Sequence, residues 1–355
     1  MDANFSYQSL SNHLERLEEV KELISSSLNY EKNQFVERDF QSVFDENLFQ
    51  YNYLMFKDNN VIAHAAIRFR EVLLEDESIP VALIGAVVVH DNFRGQGIMS
   101  KLLNYVLEKH QEKVAFFLLW SNLLPFYQRF HFYPCFWQLE VTSQKKSPLQ
   151  KKFHHKELSS FTKEGKEKII NQYNHLSKQM MILKREERDW DYFFHAQSSH
   201  LYVHQEDESC YFVAHKGQDL HNIIHEHSFH QLFWDSFLRG ERNEMTLFTP
   251  YRQRTNARLS PHKNYLRLNE SFMALMRPGA SALFSQFLAS YSDDQLKNIS
   301  LKESEHQELE ITFSFRGNKH CDSLEFFLAD CFGPNTHEDF ASFYRSFYLP
   351  GLESI

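Results

Sequence analysis

The stretch Val87-Val-Val-His-Asp-Asn-Phe-Arg-Gly-Gln-Gly-Ile-Met-Ser-Lys-Leu-Leu103 constrains the fold more than any other part of the chain. Its valines end the apolar run Val81 to Val89, which reads as a strand buried on both faces. Arg94 to Gly97 is a tight polar loop. Ile98 to His110 then places Leu102, Leu103, Val106 and Leu107 on one side of a helix. A helix that starts at the end of a strand leaves its first backbone N–H groups unpaired and partly positive. Such a loop binds phosphate well. Gly95 and Gly97 let the backbone approach a ligand without Cβ obstruction, and Arg94 adds a full charge. The spacing fits neither GxGxxG nor GxxxxGK[ST].

The elements around it are consistent with a mixed α/β fold. A helix is predicted over about 13–28, with Asn12 and Glu15 spaced as a capping box. Tyr51 to Phe56 and Val61 to Leu74 form a hairpin across Asp58-Asn59-Asn60. Ile79 to Val89 and Val114 to Trp120 are buried strands. The lysine-rich stretch 144–156 reads as a solvated linker. A second section follows: a helix near 163–178, a helical turn at Trp190 to Phe194, strands near 200–205, 209–215 and 220–227, a helix near 229–239 and a strand near 245–249. This order echoes residues 13–120 and hints at a diverged duplication. In the last section Met273 to Ser290 reads as helical, interrupted at Pro278. Leu309 to Phe315 alternates as a half-buried strand, and Ser323 caps a helix that Gly333 and Pro334 stop. The apolar end, Pro350-Gly-Leu-Glu-Ser-Ile355, is expected to be docked.

Composition removes several function classes. A length of 355 residues favours two or three domains. A net charge of -9 disfavours nonspecific nucleic-acid binding. No apolar run approaches the ~20 residues of a membrane span, and the N-terminus shows no secretory pattern. Cys135, Cys210, Cys321 and Cys331 form no CxxC pair and read as reduced thiols, so a cytoplasmic protein is expected. His225 and His227 would share one face of a strand, but HExxH fails at Phe229 and no metal site is expected.

Arg94-Gly95-Gln96-Gly97-Ile98 after a hydrophobic strand, followed by Leu102-Leu103, resembles the acetyl-CoA motif of the GNAT superfamily of N-acetyltransferases. The family pattern, Arg/Gln-x-x-Gly-x-Gly/Ala, is matched by Arg94 and Gly97, with Met99 where the small residue would stand. Farther on, Asn122-Leu-Leu-Pro-Phe-Tyr127-Gln-Arg-Phe130-His-Phe132 resembles the family's Asn…Tyr-x-x-x-Phe segment, with Phe130 and Phe132 on either side of the pattern's phenylalanine position. The resemblance implies acetyl-CoA as co-substrate. It places the thioester along Val87, Val88 and Val89, and the pyrophosphate on Arg94, Gly95, Gln96, Gly97, Ile98 and Met99. Asn122 lies beside the cofactor, and Tyr127 is the general acid for the departing thiolate. His64 is a candidate base, though a histidine on a strand is more often simply hydrogen-bonded.

The whole chain resembles the enhanced intracellular survival branch of these acetyltransferases. That implies a GNAT domain over 1–145, a diverged GNAT-like domain without a CoA loop over 146–268, and a small α+β, sterol-carrier-like domain over 269–355. It also implies that the carboxylate of Ile355 reaches the active site. The expected reaction is direct attack of a primary amine, on a small molecule or a protein lysine, on the thioester. The acidic balance and aromatic content favour a cationic, partly apolar amine. No nucleic-acid or membrane partner is expected, and a homo-oligomer is compatible with the sequence. The rivals are a catalytically inactive acyl-CoA-binding regulatory module and a protein-interaction scaffold.

Overall fold

Two long strands carry the architecture. In the computed structural model, which describes residues 5–31, 34–143, 152–156, 161–217, 219–238, 245–251, 253–262, 264, 266–305, 308–333, 340 and 346–351, the first described residue already begins a strand. The strands are β1 (Phe5–Ser9), β2 (Asn52–Lys57), β3 (Asn60–Leu74), β4 (Glu77–Val89), β5 (Phe116–Leu119) and β6 (Tyr133–Ser143). Then come β7 (Phe153–His155), β8 (Met181–Leu183), β9 (His200–His204), β10 (Tyr211–Ala214), β11 (Ile223–His227) and β12 (Thr246–Pro250). The last are β13 (Leu266–Pro278), β14 (Leu296–Glu303), β15 (Leu309–Phe315), β16 (Asn318–Ser323) and β17 (Phe347–Tyr348). One mixed sheet runs in the order β1-β2-β3-β4-β5-β13-β6-β12-β11-β10-β9-β7, with β8 paired to β3 and β17 to β8. A separate sheet has the order β14-β15-β16. The mixed α/β class expected from the sequence is therefore the class observed.

The centre of the sheet is covered on both faces, which is why β3 and β4 read as nearly continuous apolar runs. Ile67, Ile84, Leu102 and Val106 pack together on the face of the helix Ile98–His110. Leu54, Ala86 and Val88 pack on the other face against Val20 and Ile24 of the helix Leu17–Ser27. That helix starts later than its apolar spacing implied. Residues 10–12 and 14–16 are 3-10 turns, Ser9 rather than Asn12 accepts the capping bond, and no side chain caps the α-helix at Arg16.

Two other expectations are corrected. Met273 to Ser290 is not one interrupted helix: Leu266–Pro278 is β13, and the helix is Ser281–Tyr291. The run Met273-Ala-Leu-Met276 is buried on both faces between β5 and β6, so its apolar residues satisfy a central strand as well as a helix. The lysine-rich stretch is also not all linker. Phe153–His155 forms an edge strand on β9, anchored by the buried Phe153; residues 144–151 lie outside the described residues.

The sheet is antiparallel except at β4/β5, β11/β12 and β8/β17. In the first two pairs a helix joins the strands, Ile98–His110 and Gln231–Leu238 respectively. The middle section thus echoes the first, but Ser228-Phe229-His230 stands where the first has its glycine loop.

Arg185 and Glu226 form a buried bidentate pair in the middle section, at 2.9 and 2.6 Å, with side-chain exposures of 1% and 0%. Tyr211 Oη donates to the same carboxylate at 2.9 Å, and the guanidinium lies 4.1 Å from the Tyr173 ring centre. Every partner is needed, because an uncompensated charge there could not reach water. Glu226→Gln keeps the shape but removes the Glu226 charge from the buried Arg185 guanidinium. It should lower unfolding free energy by about 2–3 kcal/mol in urea titrations; an unchanged midpoint would show that the pair adds nothing over its neutral counterpart.

Candidate active site

The parallel ladder between β4 and β5 runs only from Val81↔Phe116 to Leu83↔Leu118. Beyond Leu83, β4 keeps β3 on one edge and leaves β5 on the other. Alternate N–H groups of a strand point to opposite edges, so those on the outer edge of Ile84–Val89 face a wedge. A bulge adds to the divergence: between His64↔Val88 and Ala66↔Gly85, β4 carries one residue more than β3. Ala86 there has a φ of +46°.

The loop at the top of β4 is held by its own side chains. Gln96 Nε2 donates to Asn92 O at 2.9 Å, Arg94 Nε donates to Val89 O at 3.3 Å, and Arg94 pairs with Asp91 at 2.8 Å. Gly95 and Gly97 have φ of +73° and +72°, and a Cβ on either would meet no atom within 4 Å. Gly97 is the N-cap of the helix Ile98–His110, and no side chain accepts from the first turn. The loop therefore presents open space above two left-handed glycines, beside uncapped helix N–H groups and an exposed arginine. These features fit the pyrophosphate of a CoA-type ligand. Ile98 is buried, while Met99 packs half-buried against the core below the loop. Val87 and Val89 face the same core as Met99, and Val88 faces the opposite one.

Tyr127 stands across the wedge from β4, on the short helix Leu124–Gln128 with Pro125 in its first turn. Its ring is edge-on to Phe126 and Phe132, and only 6% of the residue is exposed. Burial pushes its phenol up to about 12. Asn122 lies at the exposed rim. Gly85, Ala86, Val87, Asn122 and Tyr127 all open onto one cavity of about 390 Å³. The structure thus brings together β4, Asn122 and Tyr127, while Arg94 to Met99 form the adjoining loop.

The rest of the cavity comes from residues distant in sequence. Leu220, His225 and Phe248 to Pro250 line it from the middle section, Tyr348 to Gly351 from the chain's last described residues, and Tyr30, Asp39 and Phe40 from the first section. Tyr348 holds this end segment: its Oη accepts from His227 N at 2.7 Å, and Lys216 Nζ donates to Gly351 O at 2.8 Å. Ile355 lies outside the described residues. Asp39 accepts from Tyr30 Oη, and Asp219 also lines the cavity. Burial and the nearby carboxylates hold the Tyr30 phenol well above its ordinary value. His225 donates Nε2–H to His215 O at 2.8 Å, and burial pushes it down to about 3, so it is neutral. Sequence reasoning missed Tyr30, Asp39, Lys216 and Asp219: Asp39 ends the one-turn helix Val36–Asp39 and the others sit in connecting segments, with no motif to mark them.

Residues 12–135 match the sequence profile of the acetyltransferase (GNAT) domain. No curated protein sequence matches the chain. Among solved structures, a GCN5-related N-acetyltransferase from Anabaena variabilis superposes with a TM-score of 0.60 at 11% identity, over 92% of this chain and 90% of that one. A GCN5-related N-acetyltransferase from Kribbella flavida gives 0.57 at 11% identity, over 90% and 84%. Eis1 from Mycobacterium abscessus gives 0.58 at 10% identity, again over 90% and 84%. At these identities the structural likeness speaks for the fold, extending over nearly the whole chain. The N-terminal third of this protein is a GNAT acetyltransferase domain, of the family that uses acetyl-CoA as its co-substrate.

Proposed function

We propose that the protein transfers an acetyl group from acetyl-CoA to a primary amine held in the cavity. The observation that carries this reading is the wedge: the β4 edge from Ile84 to Val87 and Tyr127 open onto one space that also contains Asp39 and Asp219, and the glycine loop adjoins it at the end of β4. Acetyl-CoA supplies the activated acyl group. The loop from Arg94 to Met99 would hold its pyrophosphate, with Asn122 beside it. The β4 edge over Val87 to Val89 would direct N–H groups at the acyl oxygen, where negative charge develops. Tyr127 keeps its proton in the buried wedge and would give it to the departing sulfur.

The lining favours a cationic, partly apolar acceptor. Asp39 and Asp219 outnumber Lys216 in the lining and favour an ammonium group, while Phe40, Phe248 and Leu349 offer apolar surface. The middle section acts as a wall of this cavity and takes no CoA, having no glycine loop. A reducing, cytoplasmic setting agrees with four free cysteines, of which only Cys321 is exposed. Among the described residues no helix is long and apolar enough to cross a membrane.

The test is thermal unfolding with and without acetyl-CoA, followed by a thiol-release screen of small amines and lysine peptides. Stabilisation by acetyl-CoA with thiol release to a cationic amine is the expected result. Stabilisation without release to any amine would favour a regulatory module that binds acyl-CoA. No stabilisation of a folded protein would favour an interaction scaffold.

A further inference from the structure

The bulge in β4 is an awkward conformation, and something must hold it. Ala86 carries a Cβ yet has a φ of +46°, a region that non-glycine residues seldom occupy without outside support. The easy alternative is a register slip of one residue, which would turn Val87 to Val89 over to the opposite faces. His64 stands at this point. It is fully buried on β3, opposite Val88, and its Nδ1 lies 2.8 Å from Ala86 O. A carbonyl oxygen only accepts, so Nδ1 carries the proton. The other ring nitrogen is buried without a partner among the described residues, and His64 does not line the cavity.

We infer that His64 is a positioning residue: its Nδ1–H fixes the Ala86 carbonyl and so sets the path of the β4 backbone along the wedge. The inference rests on the proposal that this backbone receives the acyl oxygen. The same device recurs in the middle section. There the register shifts between Val213↔Glu226 and Ala214↔Ile224, His225 is the extra residue, and its Nε2–H bonds His215 O. In both hairpins a histidine-to-carbonyl bond spans the bulge, with donor and acceptor strands exchanged. His64 is not placed to act as the base. Burial pushes its imidazole down to about 4, so it stays neutral in ordinary buffers, and among the described residues Nε2 has no polar partner to lead a proton to the cavity.

Two substitutions in the full chain test this. His64→Leu removes the donor, whereas His64→Asn keeps an amide N–H near the position of Nδ1. In His64→Leu, kcat should fall roughly 10–100-fold, the cost of misplacing an oxyanion donor. Stabilisation by acetyl-CoA should persist, because the loop at 94–97 is untouched. In His64→Asn, kcat should return to within about fivefold of the natural protein, with the same pH profile. Hydrogen exchange of the amides of 85–89 gives a readout independent of catalysis: faster in His64→Leu, restored in His64→Asn. If the natural protein fails to bind acetyl-CoA, the proposed function fails, while the exchange pattern still decides the role of His64. Natural kcat and exchange in His64→Leu would overturn the inference. So would a His64→Asn variant that folds but is inactive or loses the acid limb of its pH profile, since the imidazole itself would then be required. Should His64→Leu not fold, kcat and exchange in the Asn variant alone decide between these outcomes.

Discussion

Gly97→Asp should weaken acetyl-CoA binding by about 100-fold or more, and activity should vanish at ordinary cofactor concentrations. The protein itself offers no obstacle to a side chain there, since a Cβ on Gly97 would meet nothing within 4 Å. The obstacle is the ligand. That open space lies over the uncapped start of the helix Ile98–His110, where the pyrophosphate is proposed to sit. A carboxylate there would occupy the space and bond the free N–H groups as an N-cap does, competing for the same donors with the same sign of charge. Some of the loss comes from backbone strain, because φ is +72°. Gly97→Asn has nearly the same shape and strain without the charge, so the difference between the two variants isolates electrostatic competition. The measurement is thermal unfolding with acetyl-CoA. At one hundred times the natural dissociation constant, the ligand should add about 2.7 kcal/mol to the natural protein and only ~0.4 kcal/mol to a variant weakened 100-fold. An undiminished shift in Gly97→Asp would place the cofactor elsewhere.

The part of the site visible in sequence is the part built from neighbours. From Val81 to His110 the apolar pattern changes from strand to helix across two glycines, and each signal lies within a few residues of the next. Ser323 is legible for the same reason: it caps the helix Leu324–Phe332 by accepting from Phe326 N. The wedge is implied by the family resemblance, as a splayed strand around Val87 to Val89, but not by the residue pattern itself. It depends on β4 and β5 parting after Leu83↔Leu118, on a bulge at Ala86, and on β13 arriving from far along the chain to pair with β5. Nothing local reports such pairings, and the Met273 to Met276 run fits a helix or a doubly buried strand equally well. Asp39 and Asp219 gain their meaning only from meeting across one cavity. The loop that carries Asp219 packs directly on Asp39, since a Cβ on Gly217 would collide with the Asp39 carboxylate.

Tyr127→Phe should fold and bind acetyl-CoA as the natural protein does, while kcat falls about 100-fold, within the range for losing a general acid. Phenylalanine keeps the edge contacts with Phe126 and Phe132, and the Tyr127 hydroxyl has no acceptor whose loss would unsettle the fold among the described residues. The pH dependence follows from burial. A phenol pushed up from 10 to about 12 is protonated at every pH where the protein is assayed. Tyr127 therefore contributes no falling limb to kcat below about pH 10, and the variant should be slow at all pH values with the same profile shape. A phenol so weakly acidic gives up its proton only to a strong base. The proposed mechanism would supply one, because burial disfavours a thiolate as it does the thiols of Cys135 and Cys331 in this chain, and a sulfur leaving within the wedge would be a stronger base for it. On that proposal donor and acceptor would shift together, and the proton would pass between them without either being tuned to neutral pH. Turnover unchanged in Tyr127→Phe would reduce Tyr127 to a packing residue and leave the sulfur to depart unprotonated. A fall in kcat accompanied by an equal loss of acetyl-CoA binding would instead mean that the hydroxyl holds the ligand rather than moving its proton.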